Sequence, residues 1–476
     1  MAEEEPTAPE GADVLETDAP EEELRFRDED GAITREFYDA ITAAVEARDA
    51  EQVRALAGDL HEADAADILV ALHADDRAPF VSLLGKDFDF AALTEVDEQI
   101  RVAVLEELPT EVVVEGMREL DSDDAVYILE DLDEAAKAEI LEQLPIPDRL
   151  SIQRSLDYPE ETAGRRMQTD FIAVASFWTV GQTIDFLRNQ SELPDDFYEI
   201  FVIDPAFRLA GTVPLNKILR AKRQTRIADV MNETSHPVLA TEDQEEVARL
   251  FERYNLVSTA VVDEGGRLVG VLTIDDMVDV MKQEAEEDLR ALAGVGDEEI
   301  SDSVTDTVRS RFIWLLVNLA TAILASMVIS LFDGAISKMV ALAVLMPIVA
   351  SMGGNAGSQT MTVAVRALAT REIDRRNMVR TIVRETTVGA INGVLFAVLI
   401  GIAAGLWFED VLLGVIIGAA LIINLVVAGL AGILIPLALD RLEIDPAVAS
   451  SVFVTTVTDV VGFSAFLGLA TWFLTG

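Results

Sequence analysis

The chain lacks cysteine, and its three histidines, His61, His73 and His236, are far apart in the sequence. Without cysteine there are no disulfide bonds, no thiolate metal ligands and no cysteine nucleophile. The histidines have none of the spacings by which neighbouring side chains bind a metal ion. No other catalytic constellation is visible in the sequence, so we expect a protein that is not an enzyme.

Positively charged residues are also scarce. The 476 residues include 36 Lys and Arg against 85 Asp and Glu, a formal net charge of −49, which excludes nucleic acid as a natural partner. Two explanations remain: cation-binding sites, or a halophilic surface in a cytoplasm where salt screens the repulsion. We expect salt adaptation to account for most of the charge, because lysine is rare. It occurs only at Lys86, Lys137, Lys217, Lys222, Lys282 and Lys338.

The N-terminal segment has no apolar core of the kind that a secretory signal peptide requires. Residues 1–33 are acidic and contain several prolines and alanines, a composition typical of disordered segments. We therefore predict a disordered acidic tail over residues 1–33 and an N-terminus that stays in the cytoplasm.

The clearest boundary lies near residue 310, where a charged chain gives way to long apolar stretches. Each stretch exceeds the ~20 residues that a helix needs to cross the hydrocarbon core. We predict a transmembrane domain over 311–476 with five helices. The predicted spans are 312–332, 339–365, 386–408, 411–439 and 446–474.

The basic residues predict the orientation of these spans, because cytoplasmic loops are enriched in Lys and Arg. Arg309 and Arg311 precede the first span, and the connection after the third span has no basic residue. The connection between spans two and three is rich in arginine: Arg366, Arg371, Arg375, Arg376, Arg380 and Arg384. We expect a multi-pass protein of the cell membrane with its N-terminus in the cytoplasm and its C-terminus outside.

Residues 34–160 contain short amphipathic segments separated by turns. The stretch Leu60–Leu69 is echoed by Leu120–Leu129, and each copy is followed by a further helical segment. A recurring helix pair predicts an all-α superhelical repeat domain. An ordinary helical bundle is the alternative.

Residues 161–284 contain a tandem repeat of a different kind. An apolar strand, an acidic turn and a second strand at Phe201–Val213 recur 59 residues later at Ala260–Leu272. Each copy has a helical segment before and after it, a β-α-β-β-α order that resembles a pair of CBS modules, here 161–226 and 227–284. The second copy contains Thr273 and Asp276, similar to the Thr-x-x-Asp with which CBS modules hold a nucleotide ribose. ATP or another adenine nucleotide is therefore an expected ligand.

A long acidic helix is predicted from 275 to 308, with a break near Gly294. We assign its second part, 285–310, as a connecting helix between the CBS modules and the membrane. It is either a passive linker or the element that transmits force to a pore.

Asp459 is the one ionisable residue deep within a predicted span, and such residues mark an ion pathway or a partner by default. Thr455 and Thr456 precede it by four and three residues, on the same helix face. A structural hydrogen bond to a neighbouring helix is the alternative role. No cation in the spans is available to pair with it, which favours a cation site.

Span two combines Pro347 with glycines and with the polar residues Asn355, Ser358 and Gln359. Proline and glycine weaken a helix, so we expect a broken span whose freed carbonyls face a watery cavity. Close helix packing through small residues is the alternative. Ligands that are all oxygen favour hard cations, and Mg²⁺ usually keeps several waters and one or two carboxylates. Ca²⁺ and Mn²⁺ satisfy the same argument.

The order of these parts, with Gly353–Gln359, Arg366–Arg371 and Asp445–Pro446, resembles the MgtE family of magnesium channels over essentially everything after residue 33. The resemblance implies a homodimer in membrane lipid with a Mg²⁺ pore between subunits. Some members have Asn at the positions of Ser358 and Ser451, so the shorter hydroxyls here alter the site. The implied pore residues are Asp459, Gly354, Asn355, Ser358, Ser451 and Thr455.

The resemblance also implies gating, in which cytoplasmic Mg²⁺ bound between acidic faces of the helical, CBS and connecting segments holds the pore shut. Like-charged surfaces repel unless cations bridge them. A secondary transporter of another divalent cation and a membrane-anchored Mg²⁺ sensor that does not conduct are the rival interpretations. The implied regulatory ligands are Asp123, Asp124, Asp243, Glu245, Asp276, Asp279, Glu284, Glu287, Asp288 and Asp445.

Overall fold

The computed structural model describes residues 25–190, 193–194, 197–233, 236–295, 304–373, 376–442 and 444–474. The described residues cluster in two compact units. One comprises residues up to Glu242 together with Thr259–Leu272. The other comprises Asp243–Ser258 together with the residues from Thr273 onward.

Short helices build the first part of the chain, as predicted. Their apolar sides form one continuous core that includes Phe37, Ile68, Phe80 and Ile128. The two segments that echo each other in sequence both fold as helices, α3 and α7. The helices are α1 (Arg35–Glu46), α2 (Ala50–Ala57), α3 (Glu62–Ala71), α4 (Ala74–Leu84), α5 (Glu98–Glu107), α6 (Thr110–Glu119), α7 (Ser122–Glu130), α8 (Glu134–Gln143) and α9 (Ile146–Leu156).

The predicted disordered tail is wrong for its last residues, while residues 1–24 lie outside the described part of the chain. Phe26 packs edge-on against Phe37 of α1, with ring centroids 5.0 Å apart. Arg27 forms ion pairs with Asp64 and with Asp67 on α3, the latter at 2.6 Å. An aromatic contact with the buried Phe37 and a paired guanidinium anchor this segment, which composition alone does not reveal.

The predicted β-α-β-β-α order is confirmed in both CBS copies. Each copy contains a three-stranded sheet whose strands lie side by side in chain order. In each sheet the first two strands are parallel. The elements are α10 (Ala163–Arg166), β1 (Ala173–Ala175), α11 (Val180–Asn189), β2 (Glu199–Ile203), β3 (Leu209–Pro214), α12 (Leu215–Arg220), β4 (Val238–Leu239), α13 (Gln244–Tyr254), β5 (Ser258–Val262), β6 (Leu268–Thr273) and α14 (Ile274–Ala293).

The repeated acidic turn has a structural role in both copies. The carboxylate of Asp204 accepts hydrogen bonds from the backbone N–H of Ala206 and of Arg208, at 2.7 and 2.9 Å. Asp263 caps its own turn in the same way. An aspartate that holds its own turn explains why this residue recurs at the same place in each module. Between the modules, Phe201 packs in an apolar cluster with Leu268 and its neighbours.

Helix α14 continues without interruption through residue 284 and ends at Gly294, whose φ of 69° is in the left-handed region that favours glycine. The predicted break near Gly294 is confirmed. Residues 296–303 of the predicted connecting helix lie outside the described residues, and the next helix begins at Val304.

Five of the described helices are long and apolar enough to cross a membrane, as predicted. The third begins at Met378 rather than at 386, so Glu385 lies within it, 7% exposed and 3.7 Å from the Nε of Arg384. Asp459 is therefore not the one buried carboxylate of these helices. The helices of this region are α15 (Val304–Ser330), α16 (Asp333–Lys338), α17 (Val340–Ala369), α18 (Met378–Trp407), α19 (Val411–Arg441) and α20 (Pro446–Leu474).

Candidate functional site

A polar stripe runs along α20. Ser451, Thr455 and Asp459 follow one another at intervals of four residues on an uninterrupted helix, and all three are half-buried. The Oγ1 of Thr455 donates to the carbonyl of Ser451 at 3.0 Å. Within the described part of the chain, no hydrogen bond or ion pair engages Asp459. The stripe thus presents a carboxylate and two hydroxyl groups along one helix face, a set of hard oxygen ligands.

Helix α17 is continuous from Val340 to Ala369, so the predicted break in span two is wrong. Two of its glycines pack tightly against other helices: a Cβ added to Gly353 would lie 2.2 Å from the Nδ2 of Asn424, and one added to Gly357 would lie 2.5 Å from Val454. These contacts pack α17 against α19 at Gly353 and against α20 at Gly357. The packing alternative accounts for these two glycines.

The other predicted residues of α17 lie away from this packed side. Gly354 is half-buried, and an added Cβ there would meet only the methyl group of Thr455, at 4.0 Å. Asn355 is exposed and Ser358 is half-buried. The structure therefore brings Gly354 of α17 next to the polar stripe of α20. Asn355 and Ser358 follow within about one helical turn of Gly354.

Four predicted regulatory carboxylates interact electrostatically around the N-terminus of α13. Burial raises the pKa of Glu245 above its ordinary value; Arg249 opposes this shift, while Asp243, Asp288 and Asp445 add to it. Burial and then the charge of Asp445 raise the pKa of Asp288. Burial disfavours the charged form of each group, and the neighbouring carboxylates add repulsion, so a cation among these groups would relieve an unfavourable interaction.

The remaining predicted ligands are placed separately. Glu284 accepts a hydrogen bond from the amide of Gln244 at 2.8 Å. Thr273 and Asp276 form a capping box at the start of α14, with 2.5 Å between Oγ1 and Oδ2. Asp279 and Glu287 lie along α14, and in the first turn of α7 Asp123 is buried and Asp124 half-buried. In the ranges that the structure describes, no group of three or more acidic or histidine side chains is arranged to hold a metal ion.

A cluster of two arginines and one glutamate joins α13 to the end of α17, and sequence reasoning missed it. Arg249 donates to the carbonyl of Ala369, the last residue of α17, at 2.6 Å and pairs with Glu246 at 2.5 Å. Arg371 pairs with the same carboxylate. We call this set, Glu246, Arg249, Ala369 and Arg371, the arginine clasp. The sequence signal that points to it is the arginine-rich loop, which by itself predicts only the orientation of the spans.

Comparison with known protein families matches three segments of the chain. Residues 346–469 match the MgtE divalent cation transporter family, residues 60–161 match the MgtE intracellular N domain, and residues 227–283 match the CBS domain. The chain is 34% identical over 319 residues to the magnesium transporter MgtE of Enterococcus faecalis, covering 67% of this chain and 70% of that protein. It is 35% identical over 316 residues to that of Thermus thermophilus, covering 66% and 70%.

The described fold also resembles a solved structure, the cytosolic domain of the Mg²⁺ channel MgtE in complex with ATP. The two are 30% identical, with a TM-score of 0.48, and the similarity covers 51% of this chain and 99% of the other.

Proposed function

The chain belongs to the MgtE family of divalent cation transporters, and on this premise we propose that it carries Mg²⁺ across the cell membrane. The observation that carries the proposal is Asp459. It is a half-buried carboxylate without a protein partner among the described residues, and it lies in line with Thr455 and Ser451 on a helix that can span the bilayer. The relatives named above are magnesium transporters, a function that is not enzymatic.

The chemistry of the stripe favours a largely hydrated ion. One carboxylate and two hydroxyls per chain are too few to replace the water shell of Mg²⁺, which dehydrates reluctantly and commonly binds through one or two carboxylates. Gly354 leaves open space opposite Thr455, so that water can remain beside the ion. We assign the six predicted pore residues to this pathway, with Asn355, Ser358 and Ser451 supplying further oxygen atoms.

We further propose that cytoplasmic Mg²⁺ closes the pathway by binding to acidic residues of the helical domain and of the CBS modules. Glu245, Asp288 and Asp445 are the central ligands, because their charges already interact unfavourably. All the donors are carboxylate oxygens, which suits a hard divalent cation. The other acidic residues assigned to closure are Asp123, Asp124, Asp243, Asp276, Asp279, Glu284 and Glu287.

Four further parts of the proposal concern the nucleotide ligand, the assembly, the orientation in the membrane and the domain boundaries. An adenine nucleotide is the ligand assigned to Thr273 and Asp276, at the N-terminus of α14. A homodimer is the assembly assigned to the chain, as the family resemblance implies. The N-terminus is assigned to the cytoplasm and the C-terminus to the outside. The proposed domains are 34–160, 161–226, 227–284, 285–310 and 311–476, after a tail at 1–33.

Mg²⁺ flux into liposomes that contain the purified protein tests the transport proposal. We expect flux above that of protein-free liposomes when Mg²⁺ on the side of the soluble domains is low. A proton or sodium gradient should leave this flux unchanged; strict dependence on such a gradient would favour a secondary transporter instead. Dimers that fold and bind Mg²⁺ but do not conduct would favour the sensor.

The arginine clasp yields a prediction about coupling. Arg249→Ala removes the side chain that donates to the last carbonyl of α17. Mg²⁺ binding at the acidic residues should therefore close the ion pathway less effectively. We expect flux at closing Mg²⁺ concentrations to rise about tenfold, within the 1–3 kcal/mol typical of coupling between sites. Flux at low Mg²⁺ should change little.

The matched control is Arg253→Ala, on the same helix, since Arg253 is exposed and lies over the ring of Tyr254. Liposome flux measured over a range of Mg²⁺ concentrations checks the pair. Identical inhibition curves for the two variants would show that the arginine clasp does not couple the acidic residues to the ion pathway.

A further inference from the structure

Asn424 is a fully buried amide in the interior of α19, an otherwise apolar helix that can span the membrane. Its Nδ2 donates to the carbonyl of Val349 on α17 at 2.9 Å. Its Oδ1 is buried and has no hydrogen-bond partner in the described part of the chain. An apolar side chain of the same volume would avoid the cost of that buried oxygen, so Asn424 requires a reason beyond filling space.

Two glycines enclose this amide, one on each helix of the proposed ion pathway. A Cβ added to Gly353 of α17 would lie 2.2 Å from the Nδ2 of Asn424, and one added to Gly462 of α20 would lie 2.7 Å from the same atom. Both distances are shorter than a Cβ contact allows. Asn424 therefore occupies a slot that exists only because both neighbours lack a side chain. We call it the amide slot.

The slot lies directly behind the residues assigned to the pathway. Gly353 immediately precedes Gly354 and is two residues before Asn355, so these residues lie on different sides of α17. Gly462 follows Asp459 by three residues, less than one turn of α20. One side chain thus contacts both helices at the level of the proposed ion ligands.

The hydrogen bond also acts where α17 needs support. Val349 lies between Pro347, which removes a backbone donor and weakens the helix, and Gly353. An external donor at Val349 ties this turn of α17 to α19. Ligands that discriminate between ions must be held to within about 0.5 Å, which requires such supporting contacts.

We propose that Asn424 is a positioning residue for ion selectivity, which fixes the separation of α17 and α20 through the amide slot. The inference depends on the proposed transport function. A purely structural residue would change stability when it is replaced. A positioning residue should also change which divalent cation passes.

The first part of the test is a double-mutant cycle on thermal stability in detergent, which needs no transport activity. Gly353→Ala should lower Tm in the wild-type background, because the new methyl group collides with the amide. In the Asn424→Ala background the same change should be tolerated, since the colliding atoms are gone. The matched control is Gly468→Ala on α20, where an added Cβ would meet no atom within 4 Å, and Tm should be unchanged.

The second part measures the ratio of Mg²⁺ to Ca²⁺ flux in liposomes for Asn424→Ala and for Asn424→Asp, which keeps the shape but not the donor. We expect the ratio to fall about fivefold in both, equivalent to ~1 kcal/mol at 1.4 kcal/mol per tenfold change. Using two variants guards against one that fails to fold. An unchanged ratio in folded protein, or an equal cost of Gly353→Ala in both backgrounds, would overturn the proposal. If the wild type conducts no Mg²⁺, the proposed transport function is wrong. The double-mutant cycle on Tm still tests whether Asn424 and Gly353 are in contact in the amide slot.

Discussion

Asp459→Asn should reduce Mg²⁺ flux about 10- to 100-fold, because it removes the one negative charge of the stripe while keeping the shape of the side chain. A charge-assisted contact contributes roughly 1.5–3 kcal/mol, and each 1.4 kcal/mol changes an equilibrium tenfold. A largely hydrated cation in the membrane has no other carboxylate on the described residues of α17 or α20 to approach. Asp459→Glu, which keeps the charge on a longer side chain, should retain part of the flux.

The matched control is Asp440→Asn, the same chemical change at an exposed carboxylate in the last turn of α19. Its flux should equal that of the wild type in the same liposome preparation. If Asp459→Asn and Asp440→Asn both conduct like the wild type, Asp459 has a structural role and the assignment of the stripe to an ion pathway is wrong.

Asp288→Asn combined with Asp445→Asn should leave the transporter conducting at Mg²⁺ concentrations that close the wild type. The two carboxylates interact repulsively, and a bound cation gains from relieving this interaction. We expect the half-inhibiting Mg²⁺ concentration to rise at least about tenfold, in keeping with coupling energies of 1–3 kcal/mol. Asparagine at 445 preserves the acceptor for the N–H of Ala447, now at 2.8 Å, so α20 should begin as before.

Glu286→Gln, an exposed position on α14, is the control for the removal of charge from this helix. Flux should be followed as Mg²⁺ is raised on the side of the soluble domains, with the three proteins in parallel. An inhibition curve for the double variant that coincides with the curve for Glu286→Gln would remove Asp288 and Asp445 from the closing site.

Features set by local sequence could be predicted. The five spans follow from runs of apolar residues, since a helix must be long and apolar to cross a bilayer. The paired CBS modules follow from two copies of a short pattern, and Asp204 and Asp263 hold the same turn in each. The stripe of Ser451, Thr455 and Asp459 follows from the helical period alone.

Features set by contacts between distant segments could not be predicted. Span two contains proline and three glycines, which indicated a broken helix, yet Gly353 and Gly357 pack against residues that are 71 or more positions away along the chain. Arg249 reaches a carbonyl 120 residues further on. The contact of Phe26 with Phe37 and the burial of Glu385 likewise depend on helices that local composition does not identify.

The helical domain shows the same difference between features set by local sequence and features set by distant contacts. The acidic pair Asp123 and Asp124 was identified from sequence among many surface carboxylates, and the structure separates the two by burial, with Asp123 7% exposed. The adjacent Ser122 accepts a hydrogen bond from the backbone N–H of Thr169 at 2.8 Å, a link to the segment that leads into the first CBS module. Which of the many carboxylates lies at such a junction depends on tertiary packing.

The most direct test of the account is the Mg²⁺ flux of the wild-type protein in liposomes, measured while Mg²⁺ on the side of the soluble domains is raised from low to high. The account predicts flux that is large at low Mg²⁺ and declines as Mg²⁺ rises on that side, because one ion is both cargo and closing ligand. Flux that is absent at every concentration, or that stays constant as Mg²⁺ rises, would contradict it.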